Sequence, residues 1–147
     1  MKPKVVVVPC SGIGKPYGTV SREAAYIVTE ELSPDKTRLV PLSLLVLGDP
    51  RTRATVAESV AVTIDGCKLA CSTKMVKESG GTVAKDIAVL DVFRRHRDLK
   101  PLGIAELNPE GLKLARVIAE EIARQVDDLA VHVPDSSTPW KEESEHA

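Results

Sequence analysis

The stretch that decides the fold is Ser59-Val60-Ala61-Val62-Thr63-Ile64-Asp65-Gly66-Cys67-Lys68-Leu69-Ala70-Cys71. Its first six residues are rich in β-formers and predict a strand over 59–64. Residues 68–79 predict a helix, which Gly80-Gly81 would end. An acid, a glycine and two thiols therefore stand at a strand-to-helix turn.

Working outward, the remaining cysteine stands at a second turn of the same kind. Cys10 follows Val5-Val6-Val7-Val8-Pro9, and such a valine run over residues 4–9 is typical of a central parallel strand buried on both faces. A loop with three glycines follows, and then a helix is predicted from about Ser21 to Leu32. All three thiols thus fall at the ends of predicted strands or just beyond them.

The rest of the chain continues this alternation of strands and helices. Further strands are predicted over 37–42 and 86–92, and residues 51–58 predict a short helix or an ordered loop. Residues 44–47 could extend the second strand or begin a short helix. Asn108-Pro109 begins the clearest helix, with Asn as N-cap and Pro in the first turn. Its predicted apolar face comprises Leu112, Ala115, Ile118, Ala119, Ile122 and Val126.

This order of elements predicts the fold class. Strands that alternate with helices through short loops indicate an α/β fold of three layers, with a mainly parallel four-stranded sheet and helices on both faces, Rossmann-like or flavodoxin-like. Ligands of such sheets bind at the carboxyl ends of the strands. We expect a single domain over 1–133 and a polar, disordered tail over 134–147.

Composition narrows the possible partners and compartments. The 147 residues carry a net charge of −1, which gives no reason to expect nucleic acid or an acidic membrane as partner. No run approaches the roughly 18 apolar residues of a membrane span, and the N-terminus lacks an apolar stretch long enough for a signal peptide. We therefore expect a cytoplasmic protein with no membrane partner, and leave its oligomeric state open.

The cysteines themselves point to metal binding or thiol chemistry. Three is an odd number, which argues against a disulfide framework. Cys10 and Cys67 should share the carboxyl edge of the sheet, and Cys71, four residues after Cys67, would lie on the same face of one helix. Three thiols could then hold zinc or an iron–sulfur cluster. The alternative is that they are buried as small hydrophobic residues.

These motifs resemble those of a known family. The Cys10-Ser11-Gly12 turn, followed by Arg22-Glu23-Ala24-Ala25, and the Asp65-Gly66-Cys67 turn, followed by Cys71, are similar to the DGC-domain family over roughly residues 4–92. Members are described as zinc-binding because they carry four cysteines that could chelate a metal. The resemblance implies Cys10, Cys67 and Cys71 as metal ligands, with Asp65, Ser11, Gly12 and Ser43 as supporting residues.

The chain departs from the family pattern at one position. The family's remaining cysteine is expected near Pro41-Leu42-Ser43-Leu44, where this sequence has no thiol. A closed four-cysteine site within one chain is therefore excluded. Asp65, a histidine, water, a ligand or a partner could complete a three-thiol site, or the site has lost its metal. For Asp65, a capping role on the following helix is favoured over a ligand role.

A basic cluster provides a second candidate site. Arg94, Arg95, His96 and Arg97 follow the predicted fourth strand, where they could bind a small anionic ligand or a carboxylate of a protein partner. The alternative is a solvated loop.

Several enzyme classes are excluded by spacing, and two alternatives to metal binding remain. Gly14-Lys15-Pro16 breaks the Walker A pattern, and Tyr17 stands where a Rossmann glycine is needed. Pro16 also takes the position of the arginine that a cysteine phosphatase requires. The first alternative is a metal-free thiol enzyme or sulfur carrier that acts on an anionic substrate, with Cys10 or Cys67 as nucleophile. The second is an accessory or interaction subunit.

Overall fold

The sheet contains four strands, all parallel. The computed structural model describes residues 5–10, 12 and 14–132. Its strands are β1 (Val5–Pro9), β2 (Thr37–Leu39), β3 (Val60–Asp65) and β4 (Thr82–Ala88). They lie in the order β2-β1-β3-β4, and each neighbouring pair is parallel. The predicted α/β class with a four-stranded parallel sheet is confirmed.

Helices cover both faces of this sheet. Helix α1 (Pro16–Tyr26) continues into a π-helical segment, Ile27–Leu32. The others are α2 (Leu42–Leu47), α3 (Pro50–Ala57), α4 (Cys71–Glu78), α5 (Val89–Arg95) and α6 (Pro109–His132). Helices α1, α5 and α6 pack on one face, and α2, α3 and α4 on the other, which gives the three predicted layers.

The valine run of β1 shows why these residues form a central strand. Side chains alternate between the two faces of a strand, so Val5 and Val7 face α1 and α6 while Val6 and Val8 face α2 and α3. All four are at most 1% exposed. Each buried valine stabilises the fold by about 1.5–3 kcal/mol relative to an exposed one.

The strand order places a switch point between β1 and β3. The chain passes from β1 outward to β2, and from β3 outward to β4 in the opposite direction. The loops after β1 and β3 therefore diverge to opposite faces of the sheet. In doubly wound sheets this divergence opens a crevice that binds ligands. Cys10 and the Asp65-Gly66-Cys67 turn flank that crevice.

The fourth strand was predicted at the wrong place. Residues 86–92 were expected to form it, but β4 ends at Ala88 and residues from Val89 are helical. Val89 and Val92 are both buried, and this spacing of three is a helical one. The strand signal was hidden because Lys85 and Asp86 of this edge strand are exposed.

Other boundaries also differ from those predicted. Helix α1 begins at Pro16 instead of Ser21, since proline suits the first helical turn. Strand β2 ends at Leu39 instead of residue 42, and residues 42–47 take the helical alternative. In α6, Leu112 is 48% exposed and Leu114 is buried in its place.

The predicted tail over 134–147 lies outside the described residues. None of the helices in the described part of the chain is both long and apolar enough to cross a membrane.

Candidate functional site

Cys10 lies at the junction of both loops that flank the crevice. It follows β1 directly, and its backbone N–H donates to the carbonyl of Ile64 at 2.9 Å, which fixes it beside the end of β3. The backbone N–H of Gly66 donates to Cys10 Sγ at 3.2 Å. The Ser21 hydroxyl lies 3.1 Å from the same sulfur. Cys10 is 8% exposed, so its sulfur is held by groups from β3 and α1 at once.

Ser21 is a contact that sequence reasoning missed. It was read as the start of a helix, but it is fully buried inside α1. Its hydroxyl donates to the carbonyl of Gly18 at 2.6 Å and lies 3.4 Å from the carbonyl of Cys10. No sequence signal distinguishes this serine from a capping serine, because the helix starts one turn earlier than its polar residues suggest.

Three glycines allow close backbone contacts between the loop after β1, the first turn of α1 and the turn after β3. A Cβ placed on Gly66 would lie 2.8 Å from the backbone nitrogen of Gly18, and one placed on Gly12 would lie 2.1 Å from the Gly18 Cα. Real Cβ atoms do not approach backbone this closely, so a side chain at Gly66 would force its turn away from α1, and one at Gly12 or Gly18 would force the loop after β1 away from α1. Gly12, predicted as a supporting residue, thus has a packing role. The packing role of Gly18 could not be predicted from the sequence, since its contact depends on tertiary structure.

Asp65 caps α4, as the sequence analysis favoured. Its Oδ1 accepts from the backbone N–H of Ser72 at 2.9 Å. Its Oδ2 accepts from the backbone N–H and the hydroxyl of Thr73, at 3.3 Å and 2.8 Å. The residue before the helix, Ala70, has no side chain that could cap it, so a carboxylate from β3 satisfies the free N–H groups of the first turn. Both oxygens of Asp65 therefore accept hydrogen bonds from the first turn of α4.

Cys67 and Cys71 do not share a helix, which corrects the predicted placement. Helix α4 begins at Cys71, and Cys67 lies in a turn that the Ala70 N–H closes by donating to the Cys67 carbonyl at 3.2 Å. Ala70 adopts a left-handed conformation with φ of 51°, which is unfavourable for a residue with a Cβ. Cys67 is partly exposed and Cys71 is exposed, and all three cysteines are free thiols.

The three cysteines are suitable metal ligands by their chemistry. In this structure, however, they are not close enough together to bind one ion. Thiols suit zinc and iron–sulfur clusters, and the two loops that carry them are in contact through the Gly66–Cys10 hydrogen bond. Yet within the described residues no three His, Cys, Asp or Glu side chains are grouped closely enough to hold one ion. The predicted three-thiol site is therefore not assembled in this arrangement.

The position of the missing cysteine lies on an element next to the thiols. Ser43 is exposed on α2, and α2 packs against α4, whose first residue is Cys71. Ser11, the other predicted supporting serine, lies outside the described residues.

The basic cluster lies away from the strand end where it was predicted. Because residues 89–95 form α5, Arg94 and Arg95 are at the far end of a helix. Arg94 donates to Asp91 at 3.1 Å and Arg95 to Glu121 at 3.5 Å. His96 is partly buried and Arg97 exposed. Anion binding by this cluster stays a prediction.

Comparison with known proteins gives one family match. The model of the family described as DGC domain matches residues 6–123. No curated protein and no solved structure matches the chain significantly.

Proposed function

Because the chain belongs to the DGC-domain family, we propose that it is a metal-binding protein whose cysteines hold zinc at the crevice between β1 and β3. The observation that supports this most is the hydrogen bond from Gly66 N–H to Cys10 Sγ, which joins the two cysteine-bearing loops. Cys10, Cys67 and Cys71 would be the protein ligands. A bound zinc ion would act as a Lewis acid if its fourth position is open, or link the loops if it is filled.

The different exposure of the three thiols suggests different roles for them in metal binding. Cys67 and Cys71 reach solvent, whereas Cys10 is buried with its sulfur already bonded. The first two are thus available to an incoming ion without loss of a hydrogen bond to any residue that the structure describes. Since the three are not within reach of one ion here, we expect binding to rearrange the Cys67–Ala70 turn.

The direct test is the metal and sulfide content of protein purified without oxygen. We expect about one zinc per chain in the wild type and much less in Cys67→Ser and Cys71→Ser. Iron with acid-labile sulfide in place of zinc would identify an iron–sulfur cluster. The cysteines would then remain the metal ligands. A wild type free of both, which also fails to bind added zinc or take up a cluster, would overturn the proposal.

A gain-of-function variant tests the position of the site independently. Ser43→Cys restores a fourth thiol on α2, so we expect it to bind zinc at least tenfold more tightly than the wild type. Ala57→Cys adds a thiol at an exposed position at the end of α3, near Gly80 and on the amino-end side of the sheet, and serves as the matched control. Equal zinc affinity in the two variants would place the metal elsewhere.

A second candidate function is supported by the same sulfur contact. A backbone N–H donates to Cys10 Sγ, and the Ser21 hydroxyl lies 3.1 Å from the same sulfur, so polar groups surround a buried thiol. A metal-free thiol enzyme or sulfur carrier with Cys10 as nucleophile would use this arrangement. In metal-free protein, Cys10 should then react with iodoacetamide faster than the more exposed Cys71. Slower labelling of Cys10 than of Cys71 would exclude this function.

A further inference from the structure

A cavity that is separate from the thiols lies beside the edge strand β2. Its volume is about 170 Å³, and it is bounded by the end of β2, by α2 and by the first turns of α3. Val40, Pro41 and Leu44 form an apolar wall. Arg38, Asp49 and Arg51 provide its charges.

Register explains how Arg38 reaches this cavity. Arg38 pairs with Val6 of β1, and paired residues of neighbouring strands point to the same face of a sheet. Val6 faces the layer of α2, α3 and α4. The guanidinium of Arg38 therefore lies on the same side of the sheet as Arg51 of α3.

The cavity carries a net positive charge, because two guanidinium groups and one carboxylate line it. Within the described part of the chain, neither guanidinium forms a hydrogen bond or an ion pair closer than 4 Å. Asp49 is the one carboxylate that lines the cavity, and its Oδ2 accepts from the backbone N–H and the hydroxyl of Thr52, at 2.9 Å and 2.6 Å. The hydrogen bonds from Thr52 and the nearby charge of Arg51 lower the pKa of Asp49, so Asp49 offsets one of the two positive charges of the cavity and one is left in excess.

The hydroxyl groups nearby cannot replace the arginines as donors. The Thr52 hydroxyl donates to Asp49, and the Thr55 hydroxyl donates to the carbonyl of Arg51 at 3.0 Å. Each hydroxyl has one hydrogen to give, so an incoming anion would be bound by the guanidinium groups. Their planar, forked donors match carboxylate and phosphate oxygens.

We propose that this cavity binds a small organic anion, with a carboxylate or phosphate head on Arg38 and Arg51 and a short apolar body against Val40, Pro41 and Leu44. The volume equals that of about six water molecules. This is below the roughly 300 Å³ at which drug-sized pockets begin, which favours a small ligand. None of the three cysteines lines this cavity.

The test is an NMR titration of the full chain with butyrate, butyl phosphate, acetate and 1-butanol, followed through backbone amide shifts. We expect saturable shifts of Leu44, Thr52 and Thr55 with the first two ligands. The tighter of the two identifies the head group. Acetate, which lacks two methylenes of butyrate, should bind several-fold more weakly, and neutral butanol should not saturate.

Variants of single arginines decide whether the cavity is the site. Arg38→Gln and Arg51→Gln should each weaken binding at least tenfold. Arg53→Gln is the matched control, because its guanidinium lies on the same helix but donates to the carbonyl of Glu78 at 3.2 Å; its dissociation constant should stay within twofold. Binding that both cavity variants leave unchanged, shifts centred on residues 94–97, or no saturation by either anion would overturn the proposal.

Discussion

At the scale of single residues, the Asp-Gly-Cys motif divides into three separate tasks. Asp65 caps α4 with both carboxylate oxygens. Gly66 packs against the backbone of α1 and donates its N–H to Cys10. Cys67 is left as a partly exposed free thiol. Two of the three residues therefore build the crevice, and only the third is available for chemistry.

The packing role of Gly66 can be tested by adding one methyl group. In Gly66→Ala the new Cβ would lie 2.8 Å from the Gly18 nitrogen and 2.9 Å from the Tyr17 carbonyl carbon. Backbone atoms cannot yield as a flexible side chain would, so we expect a loss of about 3 kcal/mol in the free energy of unfolding, measured by urea denaturation.

Gly14→Ala is the control for this variant. Nothing lies within 4 Å of a Cβ at Gly14, which has a φ of +83°. The substitution should thus cost only the left-handed backbone penalty, about 1 kcal/mol. Equal losses in the two variants would mean that the Gly66 contact is not tight.

Proximity of the thiol loops could be predicted at this scale, but contact between them could not. Parallel strands end at a common edge, so Cys10 and Cys67 were expected near each other. The role of Gly18 depends on how closely α1 approaches Gly12 and the Gly66 turn, and those distances cannot be derived from a single sequence. The same holds for Ser21, whose environment comes from the earlier start of α1.

At the scale of elements, two helices are capped by aspartates of different origin. Helix α3 has a local cap, since Asp49 directly precedes Pro50. Helix α4 is capped from β3 by Asp65, because Ala70 offers no acceptor. A sequence pattern can identify the first kind of cap but not the second, in which cap and helix are separated by a turn.

The local cap of α3 has a pH dependence that follows from its hydrogen bonds. The side-chain and backbone hydrogen bonds from Thr52 lower the pKa of Asp49 below its ordinary value of 3.8. A carboxyl whose pKa is lowered by folding contributes stability above its unfolded pKa, and loses that contribution as the pH falls through its folded pKa. We therefore expect α3 to lose this cap only below pH 4.

Carboxyl-detected NMR would measure the Asp49 pKa directly. In Thr52→Val, which removes the hydroxyl donor but keeps the backbone N–H, the pKa should move back toward the ordinary value. An Asp49 pKa at or above 3.8 in the wild type would contradict this account of the cap.

The helices and strands that sequence patterns placed well are the buried ones. The valine run of β1 and the stretch before Asp65 are buried on both faces of the sheet, so their runs of β-forming residues identify them as strands. Strand β4 lies at the sheet edge with Lys85 and Asp86 exposed, as is common for edges that must avoid pairing with other chains. Its pattern resembled a loop, and the apolar start of α5 was read as the strand.

At the scale of the whole molecule, α6 provides much of one layer. Leu114, Ile118 and Ile122 are fully buried in the cluster that also contains Val5 and Val7 of β1. Their spacing of four places them along one side of the helix. The cluster on the opposite face is built by three shorter helices, so the two layers differ in how they are assembled.

Two leucines on α6 offer a matched test of this packing. Leu114 is 0% exposed and Leu112 is 48% exposed. We expect Leu114→Ala to lower the free energy of unfolding by about 2–5 kcal/mol, and Leu112→Ala to change it by about 0.5 kcal/mol or less. Thermal and urea unfolding of both variants would measure this difference. A larger effect at Leu112 would show instead that the apolar face of α6 predicted from the sequence, which included Leu112, is the one that faces the core.

The parallel strand order also has a consequence for how fast this chain folds. Neighbouring strands β1 and β3 pair Val5 with Val60, so the chain must close a long loop before the central ladder gains any contact. Such non-local pairing slows folding relative to helical bundles. Because the Gly18–Gly66 backbone contact requires α1 to be packed on the sheet, we expect it to form after that ladder. A bulkier residue at position 66 should therefore act after the rate-limiting step, raising the unfolding rate constant while leaving the refolding rate constant almost unchanged.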